Sequence, residues 1–139
     1  MIDAIKKYLR ENKIIDDECR INVDFLGENP TEFSIEKIPV NPIIEEYLDG
    51  STYRQFQFQL VSCNYYGADY IQNLTNSEFY ENLYNLIRTN NDKDILPNID
   101  GIDSISCLNN GGVDVTDINT ARYSIQMRIT YYKEAKWSL

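Results

Sequence analysis

The sequence predicts an α+β domain, a mainly antiparallel sheet with one or two helices packed on one face, and three observations predict it. Residues 52–61 alternate so that Phe56, Phe58 and Leu60 share one face and Gln55, Gln57 and Gln59 the other. Residues 121–132 do the same, setting Tyr123, Ile125, Met127, Ile129 and Tyr131 against Ser124, Gln126, Arg128 and Thr130. Between these runs, Phe79, Leu83, Leu86 and Ile87 recur at helical spacing. Each long strand is expected to bury one side only, which is the pattern of an open antiparallel sheet with one working surface.

Taken in order, residues 2–10 read as a first helix, with Ile2, Ile5 and Leu9 on one face, Tyr8 beside them, and Asn12 and Lys13 ending it. Residues 20–26 alternate as a strand. Gly27-Glu28-Asn29-Pro30 is a turn signal, and residues 33–38 return as a short strand, which predicts a hairpin. Pro39 and Pro42 bracket an extended stretch through Ile43 and Ile44. Proline cannot donate to a ladder, so this piece is expected at an edge or in a loop. Asp49-Gly50 is a turn before the first long strand.

Gly67-Ala68-Asp69 opens the helical half. Residues 70–74 predict one or two helical turns. Thr75 to Glu78 fits a capping box, which predicts a separate helix over about 76–89 with Tyr80 and Tyr84 flanking its apolar stripe, closed by a polar loop at 90–94. Residues 102–108 read as a strand and Asn109-Asn110-Gly111-Gly112 as a turn. Residues 113–117 fit a short strand or an ordered loop. The second long strand runs to about Lys133, and residues 134–139 are expected to be a mobile tail unless Trp137 docks on a partner. Without repeats or linkers, residues 1–139 read as one domain.

The composition narrows the chemistry. The net charge is −9, from 13 basic and 22 acidic residues, and Lys6-Lys7 is the main basic cluster. Tight or sequence-specific nucleic-acid binding is therefore not expected, although an acidic passage would let DNA slide without sticking. There is no histidine, which removes the commonest general base and metal ligand. Cys19, Cys63 and Cys107 are widely spaced and read as reduced buried thiols. No apolar run is long enough for a membrane span, and the acid-containing start does not read as a secretory signal, so a soluble cytosolic protein is expected.

The acidic groups at 16–18, 45–46, 92 with 94, 100 with 103, and 114 with 117 read as solvated surface charge. Asp92-Lys93-Asp94 begins like a calcium loop, but Leu96 occupies the next alternate position. Gly111-Gly112 precedes no helix and no Gly-Lys-Ser/Thr, so it does not read as a phosphate loop. No catalytic set, metal site or cofactor is expected, and the chain reads as a non-enzyme. The eleven tyrosines divide between packing and an interface, where a ring with a polar tip gives large contact area.

An ordered set of short motifs carries a resemblance. Tyr47-Leu48-Asp49-Gly50-Ser51-Thr52-Tyr53-Arg54-Gln55-Phe56-Gln57-Phe58 fits Y-x-D-G-S-x-x-R-Q-F/Y-x-F. It is followed by Tyr66-Gly67-Ala68-Asp69, Gln72-Asn73, Phe79-Tyr80-Glu81, Leu96-Pro97 and Ala121-Arg122-Tyr123-Ser124-Ile125-Gln126. Over roughly residues 20–133 the chain resembles the tail terminator family of phages and phage-tail-like bacteriocins of Gram-positive bacteria, often labelled minor capsid proteins. The resemblance implies a structural subunit, made in the bacterial cytoplasm, that forms a homo-oligomeric ring, usually a hexamer, on the head-proximal end of the tail. It implies the tail tube protein as partner, with the sheath protein and the head connector as further ones and DNA passing through the ring. A head–tail connector or minor capsid component and a monomeric protein-binding module are the alternative readings. A head-to-tail ring needs two different patches. The candidates are Gln55, Gln57, Gln59, Gln126 and Arg128 for one, and Ile43, Ile44 and Tyr47 in the proline-bracketed segment for the other.

Overall fold

The alternating runs become the two longest strands, and every other strand except the N-terminal one, which pairs with its successor in the chain, is laid along them. The computed structural model describes residues 1–15, 19–24, 32–65, 70–116 and 120–135. The elements are α1 (Ile2–Glu11), β1 (Arg20–Val23), β2 (Glu32–Ile38), β3 (Ile43–Glu46), β4 (Thr52–Tyr65), α2 (Tyr70–Asp92), β5 (Ile102–Cys107), β6 (Gly112–Thr116) and β7 (Thr120–Lys133). β4 and β7, each of 14 residues, pair antiparallel from Thr52↔Lys133 to Tyr65↔Thr120. The seven-stranded sheet has the order β1-β2-β4-β7-β5, with β3 also on β4 and β6 also on β7.

Each long strand is flanked by a broken lane. β2 covers β4 over residues 57–62, and β3 covers the same edge at residues 52–54. Pro39 and Pro42 lie in the gap, where a missing N–H interrupts the ladder. The gap is bridged by the Gln55 N–H, which donates to the Pro42 carbonyl (2.9 Å). β5 and β6 likewise run end to end along β7, opposite 127–131 and 121–124. The Asn109-Asn110-Gly111 turn therefore interrupts a lane and does not reverse the chain. Asn109 Oδ1 accepts the N–H of Gly111 (3.0 Å) and of Gln126 (3.3 Å), which ties the interruption to β7.

The period-2 pattern holds. Phe58, Leu60, Ile125, Met127 and Ile129 are fully buried on the inner face, joined by Ile35 from β2 and Ile105 from β5. Both helices cover that face. α1 contributes Ile5, Tyr8 and Leu9, and α2 contributes Tyr80, Leu83 and Ile87. The buried α2 stripe runs 80, 83, 87, 90, so Tyr80 belongs to the stripe and does not flank it. Its ring stacks on Tyr123 (6.0 Å, 10°) and its hydroxyl pairs with Ser62 Oγ (2.5 Å), a partner that a buried phenol needs.

Two further readings are corrected. β1 pairs with β2 in parallel, Ile21 opposite Phe33, so residues 20–26 and 33–38 do not form a hairpin. Alternation sets which face a side chain takes but not strand direction. β1 is followed by Asp24, which has φ 52° and still donates its N–H to the Ile35 carbonyl of β2 (3.0 Å); the Gly27–Pro30 turn signal lies outside the described residues. α2 is a single 23-residue helix with no break at Thr75. A threonine inside a helix costs only about half a kcal/mol, so a capping signal does not by itself break one.

The helix ends are locked by a small polar network. Asn90 in α2, buried, donates to Tyr8 Oη (3.1 Å) and to Asn12 Oδ1 (3.1 Å), while Tyr8 Oη donates to the Ile95 carbonyl (2.7 Å). Asn91 Oδ1 accepts the Ile105 N–H (3.0 Å), fixing α2 to β5. Ala135 is buried beyond β7, so the segment expected to be mobile starts packed; residues 136–139, Trp137 among them, lie outside the described residues.

Candidate protein-interaction face

The outer face of β4 and β7 carries the first predicted patch. Register places Gln59 opposite Gln126, Gln57 opposite Arg128 and Gln55 opposite Thr130. All five predicted residues thus share one face of two adjacent strands. Gln126 is exposed and the other four are half-buried. Gln57 Nε2 donates to Gln55 Oε1 (3.0 Å), and Gln55 Nε2 donates to the Asn41 carbonyl (2.9 Å). Arg128 Nε is buried with no hydrogen-bond partner among the described residues.

One end of this face is closed. Val61, of the same parity as the glutamines, is fully buried and stands outside the main core cluster. Arg122 on β7 reaches across β4 to Glu36 on β2, with Arg122 Nη2 2.7 and 2.8 Å from the two carboxylate oxygens. Arg122 lies opposite Cys63 and Glu36 opposite Gln59, so their diagonal passes over Val61. The bidentate pair and the arginine stem roof that valine.

The other end is aromatic. Tyr53 and Tyr132 are paired in register, with ring centroids 4.8 Å apart. Tyr53 Oη donates to Asp103 Oδ2 (2.7 Å), and Thr130 Oγ1 donates to the same oxygen (3.2 Å). The alternation used for the glutamines also puts Tyr53 and Tyr132 outward, so that signal was present in the sequence. Asp103 was not legible, because a register shift between Ile102 and Ser104 carries it there.

The second predicted patch forms the β3–β4 hairpin. Ile43, Ile44 and Tyr47 are all exposed, and so is Leu48, which the sequence reading left out. The turn is tightly made. Gly50 has φ 87°, its N–H donates to the Tyr47 carbonyl (3.0 Å), and the Tyr47 N–H donates to the Ser51 carbonyl (2.9 Å). Asp49 accepts from the Ser51 hydroxyl (2.5 Å) and N–H (2.9 Å), which holds its carboxyl below the usual range and keeps it charged.

Among the described residues, no three Cys, Asp or Glu side chains converge to hold a metal ion, and no helix is long and apolar enough to cross a membrane. Cys107 packs against the core, and burial pushes its thiol up to about 12. Burial also raises the phenols of Tyr80 and Tyr8. Each of these groups is kept neutral by folding, while the unfolded chain ionises its thiols above about pH 8.5 and its phenols above about pH 10. Stability should therefore be level from pH 7 to about 8.5 and fall steadily above it. Urea midpoints measured between pH 7 and 11 would check this, and a level profile to pH 11 would contradict it.

The fold and this face define a two-layer α+β protein with its helices on one side of the sheet and a polar, aromatic-ended surface on the other. Compared with family models and with curated proteins, the chain matches none.

Proposed function

We propose that the chain is a subunit of a phage tail or phage-tail-like particle, a tail terminator that closes into a ring on the head-proximal end of the tube. The observation that supports the reading is the coexistence of two chemically different surfaces on one small domain. The amide-and-arginine face lies in the middle of the sheet. The exposed apolar hairpin stands at its edge, where β3 pairs with β4 alone. A rotationally closed ring joins unlike patches of successive copies, and these two surfaces are the proposed pair. The resemblance over residues 20–133 supplies the tail context, and a net charge of −9 suits a lumen through which DNA passes without adhering.

The test is the mass of the purified protein across a concentration range, together with negative-stain images and co-purification with tail tubes. A ring with a central hole is the expected result. A strict monomer that also fails to bind tubes would refute the reading. Ile43→Asp with Ile44→Asp, both at exposed positions, should leave the melting curve unchanged and weaken self-association at least about tenfold.

A further inference from the structure

Arg128 is a cation in an unusual position. It stands on the outer face at the centre of β7, opposite Gln57 on one side and Ser106 on the other. Among the described residues its Nε is buried without a hydrogen-bond partner and no carboxylate pairs with it. The outer-face carboxylates on either side are already engaged, Glu36 by Arg122 and Asp103 by Tyr53 and Thr130. For a half-buried guanidinium flanked by an amide and a hydroxyl, an anion is the strongest partner available.

The same chain carries a matching element elsewhere. The β3–β4 hairpin presents Glu45, Glu46 and Asp49 beside exposed Ile43, Ile44 and Leu48. It cannot reach its own Arg128. Glu45, the nearer glutamate, is opposite Tyr53, four residues along β4 from Gln57, or about 13 Å at the strand rise, and β4 lies between β3 and β7. The acids and the arginine can meet only between copies.

We infer that the hairpin of one copy docks on the outer face of the next, with Glu45, which shares the face of Tyr53, on Arg128 and the apolar hairpin residues over the glutamine rows. This contact rests on the reading of the chain as a self-assembling subunit and gives that reading its residue pairing. It is head-to-tail, since hairpin and face are different surfaces.

Charge exchange tests it. Arg128→Glu alone faces an acidic hairpin with an acid, and Glu45→Arg with Glu46→Arg alone faces Arg128 with arginines. Each variant should self-associate at least tenfold more weakly than the wild type in sedimentation runs, with an unchanged circular dichroism spectrum. An equimolar mixture of the two should recover association, because an alternating assembly opposes every arginine to a glutamate. Failure of the mixture to recover, or variants that associate like the wild type, would overturn the contact, and so would a wild type that stays monomeric up to about 1 mM. If the wild type forms rings that both variants preserve, the ring reading stands and this contact falls. If the mixture recovers association but images show no closed ring, the contact stands and the ring reading falls.

Discussion

Leu60→Ala should lower the stability of the domain by about 3–5 kcal/mol, the cost of removing a buried leucine and leaving a cavity that rigid neighbours cannot fill. Leu60 is fully buried at the centre of β4, directly between Ile35 on β2 and Ile125 on β7, which are themselves fully buried. The three side chains form one rung of the inner face, with both helices packed into the same core cluster. None of the three strands can shift toward the hole without breaking a ladder on its other side. Against a total of about 5–15 kcal/mol for a native domain, the loss is a large fraction. At about 3–4 °C per kcal/mol for this size, the melting midpoint should fall by roughly 10–20 °C. Gln59→Ala, one residue away on the opposite face, should change stability by no more than about 0.5 kcal/mol. A Leu60→Ala loss below about 1 kcal/mol in urea unfolding would mean that this rung does not anchor the core.

The contrast between Leu60 and Gln59 was legible because strict alternation over a long run fixes a face wherever one side is buried. For the same reason the five outer-face candidates, Gln55 to Gln59 with Gln126 and Arg128, come together as expected. What alternation could not convey was the neighbour of each strand. Pro39 and Pro42 announced an interruption, but only the sheet shows that β3 resumes the lane β2 leaves. Asn109-Asn110-Gly111 announced a turn, but turn chemistry marks a break and not a reversal, and β6 continues along β7. Arg122 spans β4 to reach Glu36 on the diagonal that passes over buried Val61, a contact 86 residues apart in sequence that no local pattern encodes. Asn90 read as loop because asparagine favours loops, yet it joins the ends of both helices through Tyr8 and Asn12.

Gly101→Ala should be the most disruptive substitution outside the core, costing about 3 kcal/mol or more, although it adds a single methyl group. Gly101 has φ 73°, where a Cβ atom is itself strained by about 1–2 kcal/mol. That Cβ would also overlap the carbonyl oxygen of Tyr132, which is backbone and cannot rotate away. The approach is close because the Gly101 carbonyl accepts the Tyr132 N–H (2.8 Å), so relieving the overlap breaks the bond that creates it. The consequences spread in two directions. Ile102 opposite Tyr131 is the first rung of β5, so a displaced Gly101 disturbs the register of the whole β5 lane. Tyr132 carries the ring that packs on Tyr53, so the aromatic end of the outer face should loosen as well. Gly112→Ala provides the comparison, because a Cβ there meets nothing within 4 Å, and its effect should stay within about 0.5 kcal/mol. Urea midpoints at constant slope would give both values, and amide exchange at Tyr132 should accelerate only in Gly101→Ala. If Gly101→Ala proved as mild as Gly112→Ala, the Asp100-Gly101 turn could not be what sets the register of β5 on β7.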